Sequence, residues 1–353
     1  MRDDNNANGF KRSEGRFTSS DKKNTIAYYI YTPTQQPRAV FQIAHGMVEH
    51  FGRYAEFAEY LACRGIVVCG NDHLGHGHSA ASDDDLGYFG GADADVIVDD
   101  MLALHDIMRQ KYRRLPYILL GHSMGSFLAR SFIVKYGDRL DGAVICGTGG
   151  TNKRLGFGIF MSSLIAALRG GRYRSKFLFS QSNGGLNNAF KNEHESAWLT
   201  KDTALTESVR DDKYCHFIFT ASAYNALFKL YKSVSGEEWA ALVPKSLPIF
   251  IISGENDPLG GGDGSGPREV YELLRDAEVN DVELKLYKND RHEILNETDR
   301  ADVYADVSEF IGRVCDGVVA ARVMDATPLF FHHGENDADG IGLGNNDSEN
   351  IKE

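Results

Sequence analysis

The chain has 353 residues, more than one ordinary domain needs, so one large domain carrying an insertion is the natural expectation. Its composition, 42% hydrophobic and 25% charged, is that of a folded globular protein. A net charge of −12 argues against a nucleic-acid surface and against electrostatic docking on anionic lipid, so any lipid contact has to be apolar and at most transient.

From the N-terminus, residues 1–15 are polar and lack an apolar signal core, which argues for a disordered start and against secretion. No apolar run reaches the roughly eighteen residues of a membrane-span candidate. Cys63, Cys69, Cys146, Cys215 and Cys315 are scattered and form no C-x-x-C pair, so they predict a reducing, cytoplasmic setting without disulfides. Short β-rich runs at Ile26–Tyr31, Ala39–His45, Ile66–Asn71, Tyr117–Gly121, Gly142–Gly147, Ile249–Ser253 and Val282–Tyr287 alternate with helical patterns. The helices are expected over Arg53–Arg64, Ala94–Lys111, Met124–Tyr136, Gly266–Ala277 and Asp299–Val314. This alternation predicts an α/β fold: a mostly parallel central sheet with helices on both faces.

The alternation stops after Gly149 and resumes at Ile249, a gap too long for a structureless loop. The expected organisation is a core over 16–149 and 244–316, a mainly helical cap over 150–243, and an acidic, disordered tail over 317–353. Within the cap, Gly156–Leu168 is unusually apolar. Phe157, Phe160 and Leu164 are candidates to line an acyl channel, with simple packing onto the core as the alternative.

The strongest chemical signal is Gly121-His-Ser-Met-Gly125, a G-x-S-x-G lying between an apolar strand and an apolar-periodic helix. In that context the glycines permit a sharp turn that presents Ser123 as a nucleophile. A serine hydroxyl needs a base, itself oriented by an acid, and in such folds the chain order is Ser, Asp or Glu, then His. Downstream, His194 and His216 fall in the cap, and His332 and His333 in the tail. Only His292 follows a core strand. For the acid, the strand Ile249–Ser253 is followed by Glu255, Asp257 and Asp263; Asp257 is preferred, and Asp263 reads as a residue of a glycine-rich loop. Backbone N–H groups of Met124 and Met47 are the candidate oxyanion donors.

Phe41-Gln-Ile-Ala-His-Gly-Met-Val-Glu-His-Phe-Gly-Arg-Tyr54 resembles the H-G-x-x-E-H-x-x-R-Y signature of the monoglyceride lipase and lysophospholipase group of α/β-hydrolases. Asn71-Asp-His-Leu-Gly-His-Gly-His-Ser79, Gly121–Ser126, Ser253–Pro258 and Arg291-His-Glu-Ile-Leu-Asn-Glu297 carry the same resemblance, in order, between about Arg16 and Arg313. It implies the α/β-hydrolase fold, triad roles for Ser123, Asp257 and His292, and oxyanion roles for Met47 and Met124. It also implies a medium- or long-chain acyl ester, such as a monoacylglycerol or lysophospholipid, as the small-molecule substrate, with no cofactor and no metal. The cap is poorly matched and the tail has no counterpart. Small-ester or peptide hydrolysis on the same triad, and an inactive binding protein, are the rival readings.

Other motifs read as structural. His73, His76 and His78 have no answering ligand cluster, and His45 and His50 flank the oxyanion loop. His122 is expected to point away from the nucleophile. Gly260–Gly266 lacks the lysine of a phosphate loop, and Glu335–Gly340 lacks the last ligand of a calcium loop.

Overall fold

Apolar runs read from the sequence become strands whose alternate side chains enter two separate cores. The computed structural model describes residues 9–194 and 196–326. Its strands are β1 (Phe10–Thr18), β2 (Thr25–Pro33), β3 (Ala39–Ala44), β4 (Ile66–Asn71), β5 (Tyr117–His122), β6 (Gly142–Cys146), β7 (Ile249–Gly254) and β8 (Val282–Tyr287). They form one sheet in the order β1-β2-β4-β3-β5-β6-β7-β8. β2 runs antiparallel to β1 and to β4; the remaining pairings are parallel.

The helices are α1 (Ala55–Ala62), α2 (Asp95–Lys111), α3 (Met124–Tyr136), α4 (Leu155–Arg169), α5 (Lys176–Asn183), α6 (Thr203–Asp211), α7 (Ala221–Ser233), α8 (Gly236–Ala241), α9 (Ser265–Asp276) and α10 (Arg300–Ala326). Tyr117 and Leu119 of β5 pack with α2, α3 and α9 on one face, while Ile118 and Leu120 pack with α1 and α10 on the other. β6 and β7 divide in the same way, which explains why these strands show no polar alternation. Each buried aliphatic side chain contributes about 1.5–3 kcal/mol, so the sheet is a stiff platform for the loops at its edge. Between β6 and β7 the described chain adds α4 to α8 and no strand of the sheet. Among the described residues no helix is long and apolar enough to cross a membrane.

Two expectations about the ends need correction. The start is ordered from Phe10, because β1 pairs along its whole length with β2. Its own sequence looks polar, but the partners that order it are tyrosines on β2. Phe10 meets Tyr31 at 5.6 Å, Phe17 meets Tyr28 at 6.0 Å, and the Arg12 guanidinium lies 5.6 Å from the Tyr29 ring. Charged residues on the open side suit an edge strand. At the other end α10 continues past Gly317 to Ala326. Val318 extends the apolar stripe of Val307, Ile311 and Val314, and packs on the same core. Leu329–Phe331, His332, His333 and Glu335–Gly340 lie outside the described residues.

Candidate active site

Loops leaving β3, β5, β7 and β8 emerge at the same edge of the parallel sheet, where open α/β sheets place their ligands. At the end of β5 Ser123 adopts φ 55° and ψ −121°, a backbone state that costs a non-glycine residue roughly 1–3 kcal/mol. The flanking glycines make the turn possible by close approach. A Cβ on Gly121 would lie 2.1 Å from the Gly125 carbonyl oxygen, and one on Gly125 would lie 2.1 Å from that of Ala44. The Ser123 N–H donates to the Cys146 carbonyl at 3.0 Å, and the Ser126 N–H and Oγ donate to the Ser123 carbonyl at 2.8 and 2.6 Å. Ser123 is half-buried, and among the described residues its Oγ has no hydrogen-bond partner. Hydrogen bonds to a serine nucleophile commonly tighten only when substrate is bound.

Asp257, in the turn after β7, and His292, in the loop after β8, meet directly. Asp257 Oδ2 and His292 Nδ1 are 2.9 Å apart, with both residues buried. Asp257 Oδ1 accepts from the Leu259 N–H at 2.9 Å and Oδ2 from Ser253 Oγ at 3.4 Å, so the carboxylate is fixed from several sides. Asp263 is exposed, and its Oδ1 accepts from the Ser265 N–H at the start of α9. The residue beside Ser123 joins this group too. The His122 ring centroid lies 4.8 Å from that of His292, and Nε2 is 3.2 Å from the His292 carbonyl oxygen.

The loop after β3 is held against Ser123 by charge. A Cβ on Gly46 would lie 3.0 Å from Ser123 Cβ, so Met47 belongs to a loop packed on the nucleophile turn. Met124 opens α3, and its N–H is one of those without an intrahelical acceptor. The Gly46 N–H donates a short hydrogen bond to Glu49 Oε1, which also accepts from Tyr54 Oη at 2.8 Å and faces His122 Nδ1 at 3.2 Å. Arg53 binds both oxygens of Glu293 at 2.6 Å and reaches Glu49 Oε2 at 3.2 Å. Burial alone would raise the Glu49 carboxyl, but the hydrogen bond and charge of His122, with Arg53, outweigh it and hold the group well below its ordinary value. Burial opposes a charged His122, yet Glu49 wins and its pKa is raised. Glu49, Glu293, Arg53 and His122 thus form one largely buried hydrogen-bonded network beside the site. Sequence reasoning quoted these residues within motifs and gave the network no role; the signal was the shared spacing of H-G-x-x-E-H-x-x-R-Y and R-H-E. Arg53→Met leaves two buried carboxylates without their cation and is expected to cost about 3–5 kcal/mol, measured by urea unfolding. A cost below about 1 kcal/mol contradicts the structural weight given to the network.

His45, His73 and His76 are buried and pack against one another. His45 Nε2 accepts from the His73 N–H at 2.9 Å, and their rings lie 4.1 Å apart. Burial, then mutual repulsion with its neighbours, lowers His73 to about 3, and burial lowers His76 to about 4, so both are neutral near pH 7. His50 Nδ1 accepts from the Gly52 N–H at 3.2 Å, which puts the ring proton on Nε2, where it meets Asp212 at 2.8 Å beside Cys215. Asp290 and Asp299 are bridged by Lys201 Nζ at 2.5 and 3.4 Å.

Phe157, Phe160 and Leu164 form an exposed stripe on α4, at 55%, 62% and 40% exposure. The opposite side of α4 is fastened to α7, where Asn225 Nδ2 donates to the Ile159 carbonyl at 3.1 Å and to Ser162 Oγ at 2.9 Å. A cavity of about 380 Å³ lies between α2, α3, α7 and α8, and one of about 660 Å³ between β1, α1 and α10. Neither is lined by Ser123, His292 or these three residues.

The family model described as "Serine aminopeptidase, S33" matches residues 35–299, which takes in the Gly46 loop, Ser123, Asp257 and His292. The chain belongs to this family. This chain is similar to a monoacylglycerol lipase of Mycolicibacterium smegmatis, 29% identical over 81% of this chain and 92% of the relative. It is similar to the human monoglyceride lipase, 27% identical over 76% of this chain and 79% of the relative. In structure it is similar to a thermostable carboxyl esterase from Bacillus coagulans solved with glycerol, with a TM-score of 0.82 and 28% identity over 86% of this chain and 99% of that one. The family and these neighbours make the chain a serine hydrolase of the α/β-hydrolase fold, acting on carboxylic esters.

Proposed function

We propose that the protein hydrolyses carboxylic esters of medium or long acyl chains, a monoacylglycerol or lysophospholipid type of substrate, through an acyl-enzyme on Ser123. The observation that carries the reading is the Asp257–His292 hydrogen bond at the edge where the strained Ser123 turn emerges. Ser123 Oγ attacks the ester carbonyl while His292 takes its proton. Asp257 keeps the imidazole in the useful tautomer and stabilises the imidazolium. The developing oxyanion accepts from the Met47 and Met124 N–H groups, each donor contributing about 2.7–4 kcal/mol to the transition state. His292 then protonates the departing alcohol, and water, activated in the same way, releases the acid. This sequence needs no metal and no cofactor.

The lipid character of the substrate is supported by the monoacylglycerol lipase relatives and by the apolar stripe of Phe157, Phe160 and Leu164. We assign that stripe, on the cap formed between β6 and β7, to transient apolar contact with the acyl chain or with the lipid surface that delivers it. A series of monomeric nitrophenyl esters tests the assignment. Each acyl methylene that leaves water contributes up to about 0.8 kcal/mol, so kcat/KM is expected to climb from acetyl to decanoyl. Phe157→Ser and Phe160→Ser are expected to flatten the climb and leave acetyl ester turnover within twofold. A preference for acetyl overturns the long-chain reading in favour of a small-ester carboxylesterase.

A further inference from the structure

Trp198 arrives at the site from the segment between α5 and α6, with no sequence motif to announce it. Its ring centroid lies 5.0 Å from that of His292, the planes inclined by 33°. The His292 N–H donates to the Trp198 carbonyl at 3.3 Å, and the next residue, Glu293, donates to the Leu199 carbonyl at 2.7 Å. The tryptophan main chain is itself held: its backbone N–H donates to Asn187 Oδ1 at 3.0 Å, and Asn187 Nδ2 donates to the His194 carbonyl at 3.1 Å. Ion pairs fasten the two segments on either side. Arg291 binds both oxygens of Glu193 at 2.9 Å and donates to the Ala197 carbonyl at 2.6 Å, and Lys201 pairs with Asp290 at 2.5 Å.

Two aromatic rings therefore lie within 5.0 Å of the His292 ring, centroid to centroid. One is His122, 4.8 Å away, whose Nδ1 faces the Glu49 carboxylate. The other is the indole of Trp198, and an aromatic face attracts a cation within about 6 Å of its centroid. Among the described residues Asp257 is the charged group that meets the His292 ring directly, while Glu49, opposite His122, pairs with Arg53, which in turn pairs with Glu293. Charge develops on His292 only as it takes the serine proton, so attraction by the indole is stronger in the transition state than before it and acts on turnover rather than on binding.

We infer that Trp198 is a positioning residue of the ester hydrolysis reaction, fixing the His292 main chain with its backbone carbonyl and stabilising the imidazolium with its indole ring. This rests on His292 being the base. Trp198→Leu keeps an apolar cover and removes the ring face. It is expected to lower kcat on a short soluble ester about 3- to 30-fold with KM within twofold. The acid limb of kcat/KM against pH is expected to move to lower pH, because the imidazolium loses a partner. Trp198→Phe recovers most of both effects. A test that leaves side-chain volume almost unchanged uses trifluorotryptophan, whose ring face attracts cations less. The protein has two tryptophans, so labelled Trp198→Phe, which carries fluorine only at Trp239, is the control. The labelled wild type is expected to show the same downward shift of the acid limb, and the labelled control none beyond that of unlabelled Trp198→Phe. An unmoved limb in the labelled wild type, or a Trp198→Leu enzyme within twofold of wild-type kcat, overturns the inference. If His292→Ala retains turnover, the triad reading has failed instead, and that result is independent of Trp198.

Discussion

Ser123→Ala is expected to reduce ester turnover by roughly 10⁶-fold, and His292→Ala by nearly as much, because members of a nucleophile–base unit fail together rather than additively. The folded state survives Ser123→Ala. Its side chain is half-buried, contributes no hydrogen bond among the described residues, and occupies a strained φ of 55° that alanine does not relieve. Single-turnover kinetics with a nitrophenyl ester, alongside a thermal melt, separates lost chemistry from lost structure. Turnover within tenfold of wild type for either variant, in a folded protein, contradicts the assignment.

Asp257→Asn is expected to cost about 10⁴ in turnover, and Asp263→Asn less than twofold. An asparagine at 257 can donate to Nδ1 of His292 and stabilise the wrong tautomer while keeping nearly the same shape. Asp263, by contrast, accepts from the Ser265 N–H on an exposed loop, so its replacement touches only the start of α9. Comparing kcat for the two variants at pH 8 decides the matter. The opposite ranking moves the acid to Asp263 and leaves the 2.9 Å contact between Asp257 and His292 without a catalytic meaning.

The parts of the molecule that were legible in the sequence are those fixed by local physics. β5 and α3 announce themselves because an apolar run, two glycines that no Cβ could replace, and a largely apolar helix follow in immediate succession. The contact of Asp257 with His292 could be expected because chain order on a parallel sheet leaves few alternatives. What could not be read depends on partners distant in the chain. β1 is ordered by tyrosines of β2, and its own residues carry little apolar signal. The end of α10 was placed too early because Asp316 and Gly317 look like a stop, whereas Val318 still reaches the core. The partners of the His122 ring were not legible either, because Glu49 and Tyr54 arrive from the loop after β3. Trp198 had no signal at all, because nothing in its local pattern marks which core loop the inserted segment will cover.

One activated serine at this edge of the sheet is proposed to form a covalent intermediate. Intact-protein and peptide mass spectrometry after treatment with a fluorophosphonate measures this most directly. A single adduct is expected, located on Ser123, absent from Ser123→Ala and strongly slowed in His292→Ala. No adduct on the wild-type protein, or one on another residue that persists in Ser123→Ala, would contradict it.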